Sequence, residues 1–143
     1  MSASIKFGTD GWRAIIAEEF TFLNVSHCAQ GVADYIKAVS SPTRGLIVGY
    51  DTRFASDRFA ACTAEVFAGN NIPTLLCDRA APTPVITYHI LSKQTSGAGI
   101  ITASHNPPEW NGFKFKPDNA GSASSDIIAH IESKIATAQI GAP

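Results

Sequence analysis

Short apolar runs that each stop at a polar residue alternate along this chain with stretches in which apolar residues recur every three or four positions, and no feature restricts the fold more. Gly45-Leu46-Ile47-Val48-Gly49-Tyr50 ends at Asp51, and Ala98-Gly99-Ile100-Ile101-Thr102 is of the same kind. A run with no polar face suits a strand covered on both sides. Thr74 to Cys77 is a shorter strand candidate. Between these lie helical stripes: Val25, Cys28, Ala29, Val32, Ile36 and Val39 after Thr21, ending before Ser40-Ser41-Pro42, then Phe59, Cys62, Val66 and Phe67. Ser56 is the expected N-cap of the second stripe and Gly69-Asn70-Asn71 its terminator. Thr83 reads as an N-cap followed by Pro84 at the first helical position, with Ile86 and Ile90 turned inward. A last helix from about Ser125 aligns Ile128, Ile131, Ile135 and Ala138. After an Asn111-Gly112 turn signal, Phe113-Lys114-Phe115-Lys116 alternates, so both phenylalanines take one face and both lysines the other. This order predicts an α/β fold: a three-layer α/β/α domain with a largely parallel, mixed sheet, helices on both faces, and residues 112–116 as an antiparallel addition. The domain is expected over residues 1–138, and residues 139–143, with Gly141-Ala142-Pro143, read as the start of a linker. In such sheets ligands bind beyond the carboxyl ends of the strands, where Asp51 and Ser104 fall.

At 143 residues one domain with a hydrophobic core is the expectation. The 11 Lys and Arg against 12 Asp and Glu give a net charge of -1, so there is no basic field for a nucleic acid. A phosphorylated small molecule needs only a few well-placed donors and stays open. Cys28, Cys62 and Cys77 are odd in number and widely spaced, fitting neither a disulfide framework nor a zinc site, and are expected as reduced core residues. The N-terminus has no signal-peptide layout and no apolar run is long enough to span a bilayer, which points to a cytoplasmic location and no membrane partner. The Asn24-Val25-Ser26 sequon is set aside for the same reason.

The most unusual stretch is Thr102-Ala103-Ser104-His105-Asn106-Pro107-Pro108, a loop leaving a strand with a hydroxyl, an imidazole and an amide in succession. A loop stiffened by two prolines can present N–H groups to an anion, and a serine at its tip can accept a phosphoryl group. On composition alone the polar turn is the default reading. A hydrolase triad is disfavoured: the frame is not G-x-S-x-G, and the adjacent side chains of Ser104 and His105 are expected to diverge. Lys114 could return to the same crevice as an acid or base, or be an ordinary solvated lysine beside Lys116. Phe7-Gly8-Thr9-Asp10-Gly11-Trp12-Arg13 offers a glycine-assisted turn followed by an arginine whose fork suits phosphate, or simply a surface arginine. Asp51, in Asp51-Thr52-Arg53, is expected to pair with Arg53 and hold its loop rather than ligate a metal. His27, His89 and His130 show no ligand spacing.

Taken in order, five segments resemble the α-D-phosphohexomutase superfamily, the phosphoglucomutase/phosphomannomutase group: Thr102 to Pro107, Phe7 to Arg13, Gly49 to Arg53 as G-x-D-x-R, Pro82-Thr83-Pro84, and Asn111 to Lys114 as N-G-x-K. The resemblance covers essentially the whole chain and implies the phosphoserine-bearing domain I of four. It implies that Ser104 carries a phosphate, gives it to a hexose monophosphate and recovers the other phosphate from the bisphosphate. His105 and Lys114 would handle protons, Arg13 would stabilise charge, and Thr102, Asn106, Arg13 and Lys114 would bind phosphate or substrate. Mg²⁺ would bridge the Ser104 phosphate and a D-x-D-x-D loop of domain II, which this sequence lacks along with the sugar-reading domains. The expected partners are a hexose phosphate and domains II to IV, and the isolated chain is expected to be inactive. Trp12 differs from the isoleucine associated with phosphoglucosamine mutases, which leans toward phosphoglucomutase/phosphomannomutase. Two other readings stay open: a noncatalytic phosphate-binding module, and a serine hydrolase.

Overall fold

The structure, a computed structural model, describes residues 5–8, 11–39 and 41–137. Along the chain come β1 (Trp12–Ile15), α1 (Phe22–Val39), a 3-10 turn (Pro42–Arg44), β2 (Leu46–Tyr50), α2 (Ser56–Gly69), β3 (Thr74–Leu76), α3 (Thr83–Ser92), β4 (Gly97–Ile101), β5 (Trp110–Pro117) and α4 (Ser125–Thr137). The strands form one mixed sheet in the order β1-β5-β4-β2-β3. β2 runs parallel to β3 and β4, whereas β5 is antiparallel to β4 and to β1. The two apolar runs occupy the middle of the sheet, where every residue of β4 is buried.

Side-chain alternation assigns the two faces. On one, Leu46, Val48, Ile101, Phe113, Phe115 and Trp12 join α1, α2 and α4 in the main core. On the other, Ile47, Ala98 and Ile100 meet Ile86 and Ile90 of α3 in a smaller cluster. Helices therefore cover both faces, and the fold is the expected α/β/α. At about 1.5–3 kcal/mol for each large aliphatic or aromatic side chain withdrawn from water, these two clusters dominate the folding energy. Cys28 lies within the main core, and burial pushes its thiol pKa well above the ordinary value, leaving it no tendency to ionise.

Several expectations are corrected. The glycine-assisted turn is present, with Gly8 and Gly11 exchanging backbone hydrogen bonds at 3.1 and 3.2 Å, but no strand was expected after it, and Trp12 pairs with Phe113 while Ala14 pairs with Asn111. Asn111-Gly112 is not a turn but the second and third residues of β5, because pairing on both sides begins at Trp110 on β1 and reaches Gly112 on the β4 side. Ser56 does not cap α2: Ala55, in left-handed backbone at φ 60°, stands at the cap, and Ser56 turns its buried hydroxyl to other partners. Pro82 rather than Thr83 precedes α3, since its carbonyl accepts the N–H groups of Val85 and Ile86. Val39 is exposed at the end of α1, and Cys62 and Cys77 are half-buried free thiols rather than core residues. Ala138 and the linker at residues 139–143 lie outside the described residues.

The packing of α4 on α1 depends on Gly31, whose absent Cβ would stand 2.4 Å from Ile135 Cγ1 and 3.3 Å from the Ile131 carbonyl oxygen. Gly31→Ala is expected to push α4 off α1 and cost about 1–3 kcal/mol, despite alanine's better helix propensity. Urea denaturation of the two proteins checks this.

Candidate active site

The site is built where β2 and β4 end side by side. The Asp51 N–H donates to the Ile101 carbonyl at 3.1 Å, so the residue after β2 is tied to the last residue of β4. Asp51 then organises the polar groups around it. Its Oδ1 accepts from the Arg53 N–H at 3.0 Å and from Ser56 Oγ at 2.8 Å. Its Oδ2 accepts from Thr102 Oγ1 at 2.6 Å and lies 3.4 Å from Arg53 Nε. The Thr102 hydroxyl in turn accepts the Ser104 N–H at 3.1 Å. A chain of contacts thus runs from the end of β2 to the backbone of Ser104.

Ser104 takes left-handed backbone, φ 56°, an uncommon setting for a residue with a side chain. Its side chain is exposed, and its Oγ lies 3.3 Å from His105 Nδ1. The expected divergence of these neighbours is corrected: the left-handed turn brings hydroxyl and imidazole within reach. A triad also needs a group that orients the imidazole, and His105 has no carboxylate partner among the described residues. Across the loop, Arg13 of β1 donates from Nη1 to Asn106 Oδ1 at 2.7 Å, while the Asn106 N–H is held by the Ala103 carbonyl at 3.0 Å.

Asp51, Arg53, Thr83, Thr102, Ser104 and Asn106 line one open cavity of about 500 Å³. Arg13 reaches this group through Asn106. Lys114 does not join the lining; it is half-buried on β5 opposite Ile100 and borders a separate, smaller hollow with Phe7, Gly11 and Phe115. Thr9 and Asp10 lie outside the described residues. Thr102 is almost wholly buried, with its hydroxyl engaged both as donor and as acceptor.

Ser56, expected as a helix cap, and Asn111, expected in a turn, have places in this network that sequence reasoning missed. Asn111 is fully buried; its Nδ2 donates to Ser56 Oγ at 2.9 Å, and its Oδ1 accepts the Gly112 N–H at 2.8 Å. Gly112 is required at the next position because a Cβ would come within 2.4 Å of the Thr102 carbonyl oxygen. The available signal was a polar residue inside an otherwise strand-forming segment, which marks either a turn or a buried polar contact. Among the described residues no buried side-chain N or O lacks a partner, and no group of three or more His, Cys, Asp or Glu is placed to hold a metal ion.

The site is thus a hydroxyl raised on a braced loop beyond the carboxyl end of a buried strand of an α/β domain, with an arginine on its flank. Residues 4–140 match the model of the family described as phosphoglucomutase/phosphomannomutase, alpha/beta/alpha domain I. The chain belongs to that family. It is 41% identical over 123 residues to a Haemophilus influenzae protein named for phosphomannomutase, covering 81% of this chain and 25% of the relative. A Schizosaccharomyces pombe protein named for phosphoribomutase is 37% identical over 119 residues, covering 80% of this chain and 20% of the relative. The solved structure of a Thermus thermophilus protein named for phosphomannomutase superposes with a TM-score of 0.88 at 34% identity, over 94% of this chain and 30% of that one. The chain therefore spans a quarter or less of the length of these two curated relatives.

Ser56→Ala is expected to destabilise the fold by about 1–3 kcal/mol, because it strands the buried Asn111 amide and removes a donor from Asp51. Chemical denaturation measures the loss. A cost near zero would show that the network contributes little.

Proposed function

We propose that this chain is the phosphate-carrying domain I of a phosphohexomutase that interconverts hexose 1-phosphate and hexose 6-phosphate, with Ser104 as carrier. The observation that supports this most is the exposed Ser104 hydroxyl, raised in left-handed backbone over a cavity at the carboxyl end of β4. In the first half-reaction a sugar hydroxyl oxygen forms a bond to phosphorus as the bond from phosphorus to Ser104 Oγ breaks. The hydroxyl proton passes to a base, and the departing Oγ takes one up. His105 Nδ1, at 3.3 Å, is within reach to supply it. The second half-reaction reverses these steps with the other phosphate of the sugar bisphosphate, so Ser104 ends phosphorylated and the sugar isomerised. Arg13 uses one guanidinium N–H on Asn106, and its other donors, with no acceptor among the described residues, suit the oxygens of a transferring phosphoryl group. Asn106 then aims Arg13, and Thr102 holds the Ser104 backbone. Lys114 acts on protons or phosphate from its place on β5, beside rather than inside the cavity lining.

Mg²⁺ belongs to the same proposal, but among the described residues no group of three or more His, Cys, Asp or Glu is placed to hold it. Asp51, the carboxylate in the cavity, has both oxygens engaged by Ser56, Thr102 and Arg53. On this reading the chain would offer the Ser104 phosphate to the ion, whose remaining ligands, like the groups that select the sugar, would come from elsewhere. Relatives named for phosphomannomutase and phosphoribomutase share this domain, which supports a sugar choice made outside it. A cytoplasmic location goes with this reading, and no helix among the described residues is long and apolar enough to cross a membrane.

Incubation of the full-length polypeptide bearing this domain with hexose 1,6-bisphosphate and Mg²⁺ is expected to add one phosphoryl group, located at Ser104 by mass spectrometry. Ser104→Ala should lower mutase turnover by at least about 10³-fold, the scale on which removal of a covalent carrier acts. A full-length protein that never carries phosphate on Ser104 would refute the mechanism. Residues 1–143 alone are expected to show no turnover in a coupled assay, and detectable turnover would overturn the dependence on other domains.

A further inference from the structure

Arg53 and Arg13 flank the same loop but are engaged in opposite ways. Arg53 Nη1 donates to the carbonyls of Pro107 at 2.7 Å and Trp110 at 3.0 Å, and Nη2 donates to those of Ser104 at 2.9 Å and Asn106 at 2.6 Å. Its Nε faces the Asp51 carboxylate at 3.4 Å. A guanidinium has five N–H groups, and the four on Nη1 and Nη2 of Arg53 are each matched by a loop carbonyl. Neither terminal nitrogen has a donor to spare for a phosphate.

We infer that Arg53 is the positioning residue of the phosphate-carrying loop, a single guanidinium that holds four carbonyls between Ser104 and Trp110 and thereby sets the place and backbone of Ser104. The inference rests on the reading of Ser104 as the carrier. The sequence of the loop suits such a clamp. Two of the four carbonyls, those of Asn106 and Pro107, precede prolines, so their peptide units have no N–H to place. The Ser104 carbonyl shares a trans peptide plane with the His105 N–H, which therefore points away from Arg53. That N–H donates to no backbone carbonyl among the described residues. The left-handed backbone of Ser104 is costly, and persists only where its surroundings hold it. Here Thr102 holds its N–H, Arg53 holds its carbonyl, and Asp51 fixes both holders.

A lysine would supply the charge but not a planar fork reaching four carbonyls. Arg53→Lys and Arg53→Met are therefore expected to behave alike. In hydrogen exchange of the chain, the amides of Ser104, Asn106 and Trp110 should exchange at least about tenfold faster, the loss of roughly one net hydrogen bond, while those within β2 and β4 keep their rates. In the full-length enzyme, kcat should fall about 10²-fold, as for a reacting atom displaced by about 1 Å, with KM nearly unchanged. Free guanidinium should restore part of the kcat of Arg53→Ala. A merely structural role would instead reduce the amount of folded enzyme and leave kcat per folded molecule alone.

Parental protection of the loop in Arg53→Lys would overturn the clamp, and so would uniformly faster exchange across the sheet. If the variants unfold, the parent decides: the loop amides must then be protected to the same degree as β4, and free exchange at Ser104 and Asn106 would refute the inference. The exchange measurement involves no phosphate. A clamp seen by exchange in a protein that never phosphorylates Ser104 would therefore refute the carrier reading alone, while a phosphorylated protein with an unperturbed loop in both variants would refute the clamp alone.

Discussion

β4 is hydrogen-bonded on both edges, parallel to β2 and antiparallel to β5, and the site depends on that double pairing. The parallel edge brings the end of β2 level with the end of β4, so that Tyr50 stands opposite Ile101 and Asp51 follows directly beside Thr102. The antiparallel edge obliges the chain to turn back within residues 102–109 before β5 begins. The Thr102 N–H donates to the Gly112 carbonyl, closing the base of that loop with a ladder bond. A connection fixed at both ends by the sheet has few conformations left, and interactions inside it need only choose among those few. Ser104 reaches its left-handed backbone in that setting.

Polar and apolar layers divide the work at this end of the sheet. Below, the apolar side chains of Ile101 and Phe113 are buried in the main core. One residue further along β4 the side chains become hydroxyl, carboxylate and guanidinium, and taking such groups from water is costly unless each finds a partner. Each does: Asp51, Ser56, Thr102 and Asn111 form a continuous set of hydrogen bonds joining β2, α2, β4 and β5. A network of this kind contributes little net energy when complete, but losing one member strands the others. It restricts the alternatives open to the loop more than it adds to stability.

The parts legible in the sequence were those whose physics is local. Gly45 to Tyr50 and Ala98 to Thr102 announced central strands because they lack a polar face, and the helical stripes announced which sides of α1, α2 and α4 meet the sheet. The Ser104 loop stood out because Ser, His, Asn and two Pro after a buried strand are hard to place elsewhere. What was missed depends on contacts between residues far apart in sequence. Asn111 and Ser56 are 55 positions apart, and nothing near either shows that they meet. Asn111-Gly112 has the composition of a turn, and only pairing to β1 and β4 makes it strand. β1 itself is four residues long and becomes a strand only because β5 lies beside it.

Two arginines stand beside the Ser104 loop. Both follow a glycine-containing motif, both carry a full charge, and both touch the loop. Their difference lies in the acceptors around them. Arg53 meets four carbonyls that the loop must place somewhere, so its charge is spent on the backbone and its geometry is determined by it. Arg13 donates to a side-chain amide and, among the described residues, to no other acceptor, so its remaining donors are open to water. An arriving phosphoryl group can replace that solvent without breaking any contact the fold relies on. The same group at Arg53 would have to displace the loop that carries Ser104, which would cost more than it returned.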